Sequence, residues 1–113
     1  MKFLMLVRDD PDLTFPEEGS GEVRAWTDTM DANGSRLIGD RLAPPPESVV
    51  VRVREGAVVR SDGPYAETRE HVGGFDVLEA PDLEAAVAIA AAHPIAAYGS
   101  LEIRPFWPLF DGS

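Results

Sequence analysis

The sequence has no cysteine, which excludes a disulfide framework, a thiolate metal site and a cysteine nucleophile. It is short of positive charge: 10 Lys and Arg stand against 20 Asp and Glu, for a net charge of −10. So acidic a chain repels phosphate backbones and anionic headgroups, so neither nucleic acid nor membrane is expected as a partner. Histidine occurs only twice, at His71 and His93. Long apolar runs are also missing. The first, Phe3–Val7, is followed directly by Arg8-Asp9-Asp10, whereas a secretory core needs about 7–15 apolar residues and a membrane helix about 20. A soluble, cytoplasmic protein is the expectation. No Ser-His-Asp order, phosphate loop or dinucleotide fingerprint is present, and no cofactor is expected.

What the sequence does contain is one domain's worth of chain. Its 113 residues are 44% hydrophobic, enough for a packed core and too much for disorder. Residues 1–113 read as a single domain ending in an aromatic tail, Phe106 to Ser113. Phe3–Val7 has the length and charged borders of a strand with two apolar faces. Ser20 is placed to cap a helix starting near Glu22. Val23, Trp26, Thr27 and Met30 share one face of that helix, and Asn33-Gly34 stops it. A second strand over residues 35–43 ends at three prolines. Val49–Arg54 and Ala57–Arg60, joined by Glu55-Gly56, make a hairpin.

Residues 66–71 suggest a helical turn broken by Gly73-Gly74, and Phe75–Glu79 a strand. Asp82 caps a second helix with an apolar stripe of Leu83, Ala86, Val87 and Ala90, stopped by Pro94. Leu101, Ile103 and Pro105 alternate with Ser100, Glu102 and Arg104 in a last strand. The order is α+β, a ferredoxin-like β-α-β-β-α-β with an inserted β-hairpin. Two helices cover one face of such a sheet. The other face is apolar too, which predicts a homodimer packed sheet to sheet.

The string Asp62-Gly63-Pro64-Tyr65-Ala66-Glu67-Thr68-Arg69-Glu70, followed by Gly73-Gly74-Phe75, resembles the signature of the YCII-related family, in its DGPFAETKE branch. Tyr65 stands for Phe and Arg69 for Lys. The opening strand, the valine hairpin and Glu102-Ile103-Arg104-Pro105 also fit, so the resemblance spans nearly the whole chain. It implies a dimeric α+β barrel and brings no settled reaction. Some such proteins are proposed enzymes with a His–Asp pair whose His lies near the first helix; neither histidine here lies near residues 22–34. Members near or fused to extracytoplasmic-function sigma factors imply, as the alternative, a non-catalytic regulatory or interaction module.

The main expectation is a small-molecule-binding protein whose ligand, aromatic or carboxylate, sits between sheet and helices. Proton-transfer or lyase-type catalysis is the enzymatic form of that reading. Asp62 reads as a turn cap or as a general base at a pocket rim. Gly63 supplies an unusual φ or a close approach, and Pro64 fixes the exit. Glu67, with Arg69 and Glu70, belongs to a solvated turn or to a pocket rim. Arg104 pairs with Asp62 or Glu67, or binds a carboxylate ligand. Trp26 packs in the core or lines an apolar cleft with Met30, Tyr65 and Phe75. Glu67 and His71 at i, i+4 spacing do not make a metal site. His93, before Pro94, suits a helix C-terminus as a cation. Trp107 and Phe110 are expected to clasp the partner subunit.

Overall fold

The computed structural model describes residues 1–10, 12–14, 20–63 and 71–110. Among them run β1 (Lys2–Asp9), α1 (Ser20–Ala32), β2 (Arg36–Arg41), β3 (Val49–Arg54), β4 (Ala57–Asp62), β5 (His71–Glu79), α2 (Leu83–Ala91) and β6 (Gly99–Pro105). Four strands form one sheet in the order β2-β5-β1-β6, with every neighbouring pair antiparallel. This is the ferredoxin-like arrangement, and β3 and β4 stand apart as the inserted two-stranded hairpin. No helix among the described residues is long and apolar enough to cross a membrane.

Alternation along β1 builds the core. Phe3 and Met5 point under the helices and are fully buried, as is Leu78 opposite Phe3 on β5. Trp26 of α1 and Ala86 and Ala90 of α2 complete the cluster, with Leu101 and Ile103 of β6 packed against it. The Trp26 indole N–H donates to the Ile89 carbonyl at 3.0 Å. This bond ties α1 to α2 while satisfying the one polar atom of the ring. Helix α1 ends as expected: Gly34 takes φ +80°, and the Ser35 N–H donates to Asn33 Oδ1 at 2.9 Å. Asp82 caps α2 by accepting from the Ala85 N–H at 2.8 Å.

Two expectations need correction. The buried side of α2 is Ala86 and Ala90 flanked by Ala85 and Ile89, while Leu83 and Val87 are 48% and 45% exposed. At about 100° per residue, the buried arc centres between residues 86 and 89, so Leu83 and Val87 fall outside it. Small alanines let the helix lie close to the sheet, and the larger side chains turn out. Gly73 and Gly74 also do not break the chain; they lie inside β5. The β1–β5 register steps from Val7↔Gly74 to Arg8↔Val72, so Gly73 is the extra residue of a bulge. The Asp9 carboxylate lies over Gly73, in the space that a Cβ would enter. The expected helical turn over 66–70 lies outside the described residues, and His71 begins the strand.

The other sheet face carries Leu4 and Leu6 of β1, Phe75 and Val77 of β5 and Ile38 of β2, placed side by side by the register. Ile38 is 61% exposed. Neither helix covers this face, because both pack on the Phe3–Met5 side.

Leu78→Ala opens a cavity at the centre of the core and is expected to cost about 2–5 kcal/mol. Asp82→Ala removes only the α2 cap, for about 1 kcal/mol. Urea unfolding of both variants checks the ranking; equal losses would refute the assignment of the core to Leu78.

Candidate functional site

A cavity of about 460 Å³ lies between the β2–β5–β1 side of the sheet, α1 and the segment after α2. Small-molecule sites span about 300–1,000 Å³. Its apolar walls come from Val7, Val23 and Ile95. Its polar walls come from Arg36, Asp76 and His93, with Asp9, Asp40 and Arg41 also lining it.

Arg36 and Asp76 are neighbours because of the strand register. Arg36 and Ile38 flank a register shift in β2, and Gly39, next along, lies opposite Asp76 on β5. Gly39 leaves the room that the carboxylate occupies: a Cβ there would fall 2.2 Å from Asp76 Oδ1. The Arg36 Nε–H donates to Asp76 Oδ1 at 2.6 Å. Its Nη1 donates to both oxygens of Asp31, at 2.9 and 3.1 Å. Its Nη2 donates to the Gly39 carbonyl at 2.8 Å. Burial alone would lower the guanidinium pKa, but the hydrogen bonds to Asp76 and Asp31 outweigh it and hold Arg36 above its ordinary value. At Asp76 burial is the larger effect. It lifts the carboxyl above the usual aspartate range, although the Arg36 contact pulls it back.

His93 corrects an expectation. It does not act as a cation at a helix end. Helix α2 stops at Ala91, and His93 opens a 3₁₀ turn, Pro94–Ala97, accepting the Ile95 N–H on Nδ1 at 3.0 Å. The ring is 5% exposed, and burial lowers its pKa to about 4. The neutral ring therefore carries its proton on Nε2. It also packs on Trp26, with ring centroids 4.6 Å apart at an interplanar angle of 60°. A histidine far along the chain thus lies against the first helix and shares a cavity with Asp76. Sequence position had separated the two.

The residues singled out in the sequence are dispersed. Trp26 is buried in the core and reaches the site only through His93. Asp62 ends β4 opposite Val49, exposed, and does not line the cavity. Gly63 follows with φ +92°, its N–H donating to the Ser48 carbonyl at 2.7 Å. The left-handed φ is the use expected of that glycine. Pro64, Tyr65 and Glu67 lie outside the described residues. Arg104 pairs with neither Asp62 nor a buried acid. It sits opposite Leu4, on the sheet face away from the cavity, and donates to Glu102 on its own strand at 2.9 Å with its side chain 74% exposed. Among the described residues, the polar wall is Arg36, Asp76 and His93, three positions that sequence reasoning did not select. Gly39 and Gly73, each facing a carboxylate, were the available signal.

The YCII-related domain model matches residues 1–109. The chain belongs to the YCII-related family. It is also similar to an uncharacterised protein of Rhizobium meliloti (strain 1021), at 35% identity over 69 residues, 58% of this chain and 54% of that relative. The match thus spans about half the relative's length, and no specific activity comes with it. In this YCII-related chain the His and Asp that share a cavity come from the 3₁₀ turn after α2 and from β5.

The depressed His93 pKa makes stability pH-dependent. Between 6.5 and about 4 the unfolded chain binds the proton that the folded ring refuses. Stability is therefore complete above that window and falls by about 3 kcal/mol across it. Asp76, with its carboxyl raised, acts in the opposite sense, so the comparison is made with His93→Asn, whose Oδ1 can still accept from Ile95. Urea midpoints at pH 7, 5.5 and 4 should drop more steeply in the wild type than in the variant. Parallel profiles would refute the assignment.

Proposed function

We propose that this YCII-related protein binds a small molecule in the cavity between the sheet and α1, and that it does so as a homodimer. The observation that carries the first part is the cavity itself. It combines an apolar lining with a buried aspartate and a buried histidine in one wall, which is how ligand sites are usually composed. Its location agrees with the sequence expectation of a pocket between sheet and helices; the polar residues are different ones.

In an enzymatic form of this reading, proton transfer or lyase-type chemistry falls to Asp76 as acceptor and to His93 Nε2–H as donor. Both line the space where a substrate would sit, as acid–base catalysis requires. Asp62 keeps the turn-forming role, being exposed at the end of a hairpin.

The homodimer is supported by the sheet face that neither helix covers, where Leu4, Leu6, Phe75 and Val77 are partly exposed and Ile38 is exposed. Leu4, Leu6, Phe75, Val77 and Ile38 make an apolar surface with a charged border, in which Arg8 and Glu102 pair at 3.1 Å. A second copy packed sheet to sheet removes that surface from water. The tail past Pro105 adds to the apolar surface, with Trp107 95% and Phe110 71% exposed.

Light scattering at micromolar concentration should give twice the 12.2 kDa chain mass, and Phe75→Asp should halve it. A monomeric wild type would end the dimer reading. For the cavity, a thermal-shift screen of small metabolites should yield compounds that raise Tm by several degrees at about 100 times Kd. Val23→Phe, which fills the cavity from α1, should cancel those shifts. A screen without hits, or hits indifferent to Val23→Phe, would remove the cavity as the ligand site.

A further inference from the structure

We infer that the β3–β4 hairpin is an arm by which one copy of this chain grips another: its valine face packs on the aromatic tail, residues 106–110, of the second copy. This rests on the homodimer reading and names the segments that complete the interface.

The register puts Val49, Val51, Val53 and Val58 on one face of the hairpin, with Arg60 and Asp62 beside them. Each of the four valines is at least 46% exposed. On the other face Val50 and Arg52 are partly covered. Among the described residues the hairpin pairs with no strand of the four-stranded sheet, and a two-stranded hairpin on its own is marginal in water. Its base is nevertheless fixed. Pro44, Pro45 and Pro46 lead into it through a 3₁₀ turn at Pro45–Glu47, and the Gly63 N–H closes it on the Ser48 carbonyl at 2.7 Å. An apolar face held out on a stiff base loses little freedom when it docks. The chain is a slab of 47 × 41 × 19 Å with a radius of gyration of 16.2 Å, where about 13 Å is usual for a compact domain of this length.

The tail is the second bare surface. The Phe106 N–H ties it to the sheet by donating to the Lys2 carbonyl at 2.9 Å. Beyond that bond Trp107, Leu109 and Phe110 are all exposed. Hairpin and tail are rooted at opposite ends of the sheet. The chain leaves β2 at Arg41 and re-enters β5 at His71, opposite Asp9 at one end of β1. The tail follows Pro105, opposite Phe3 at the other end. These roots are about 20 Å apart along β1. Two copies packed sheet to sheet about a twofold axis across the strands bring each arm to the partner's tail, and the symmetry makes the contact twice.

Area and charge both select a second copy. Four strands of about eight residues present a face of about 25 × 19 Å, or about 500 Å², whereas a stable interface buries about 800 Å² per partner. One arm and one tail on each protomer, at about 200 Å² apiece, supply the difference. Two chains at −10 also repel each other. The tail from Phe106 to Phe110 carries no charge, and the hairpin holds Arg52, Arg54 and Arg60 against Glu55 and Asp62. Arm on tail is therefore a contact that adds no repulsion.

The chain has no cysteine, so Ala57→Cys places a single nitroxide at the arm's tip, off the valine face. Labelled chains are mixed with ¹⁵N-labelled wild type and left to exchange subunits. The indole signal of Trp107 should broaden in the ¹⁵N copy, and that of Trp26, buried in the core, should not. In light scattering, Val51→Asp and Trp107→Ala should each raise the dimer Kd at least tenfold. Val59→Asp, the same change on the other hairpin face, should leave it within threefold. A sharp Trp107 signal, or an unchanged Kd in Val51→Asp, would overturn the arm-to-tail contact; it would leave the sheet-to-sheet dimer standing and give the valine face to a partner other than a second copy. Equal losses in Val51→Asp and Val59→Asp would overturn it as well, by placing the effect in hairpin folding. A wild type that stays at 12.2 kDa would overturn both the arm and the dimer.

Discussion

The structure around the cavity depends on one guanidinium. Arg36 joins the C-terminal turn of α1 through Asp31, the strand β5 through Asp76 and its own strand through the Gly39 carbonyl. Two chain segments 40 residues apart are thereby fixed in register. The arrangement is possible only because Gly39 has no side chain where the Asp76 carboxylate lies. Removing one partner of such a buried pair typically costs about 3–5 kcal/mol, because the other is left charged and unmatched. The same pair decides the chemistry of the cavity. An arginine bonded to three partners supports the carboxylate beside it.

His93 is a second case of a polar side chain whose surroundings override its residue type. Its pKa falls to about 4 because burial penalises the charged ring, which lies between the cavity and Trp26. It therefore stays a neutral donor across the physiological range. A buried neutral donor and a buried carboxylate in one wall offer a ligand hydrogen bonds of both polarities without a net positive charge.

Most of the fold was legible in the sequence because it is written in local signals. Alternation marked β1 and β6, Asn33-Gly34 ended α1, and Asp82 began α2. The Glu55-Gly56 turn has positive φ at both residues, as its hairpin requires. The α2 stripe failed because a nine-residue helix rich in alanine gives almost no periodic contrast. Gly73-Gly74 was misread because a glycine that breaks a helix and a glycine that admits a carboxylate into a strand look alike in one dimension. The site was less legible for the same reason. Arg36, Asp76 and His93 come from three distant segments and carry no motif, whereas the recognisable string begins at Asp62, whose side chain does not reach the cavity.

The strand pairing also has a consequence in time. Phe3 on β1 is bonded on one side to a strand around Leu78 and on the other to a strand ending at Pro105. β1 therefore precedes both of its edge partners in synthesis and is paired on both edges only once β6 has emerged. At about 5–20 residues per second, Phe3, Met5 and their neighbours wait several seconds for their partners. Contacts of such long sequence separation also slow folding once the chain is complete. An apolar strand with two bare edges is prone to pair with whatever it meets first. A strand bordered by charges, here Arg8, Asp9 and Asp10, is a poorer template for such pairing than an unbordered one.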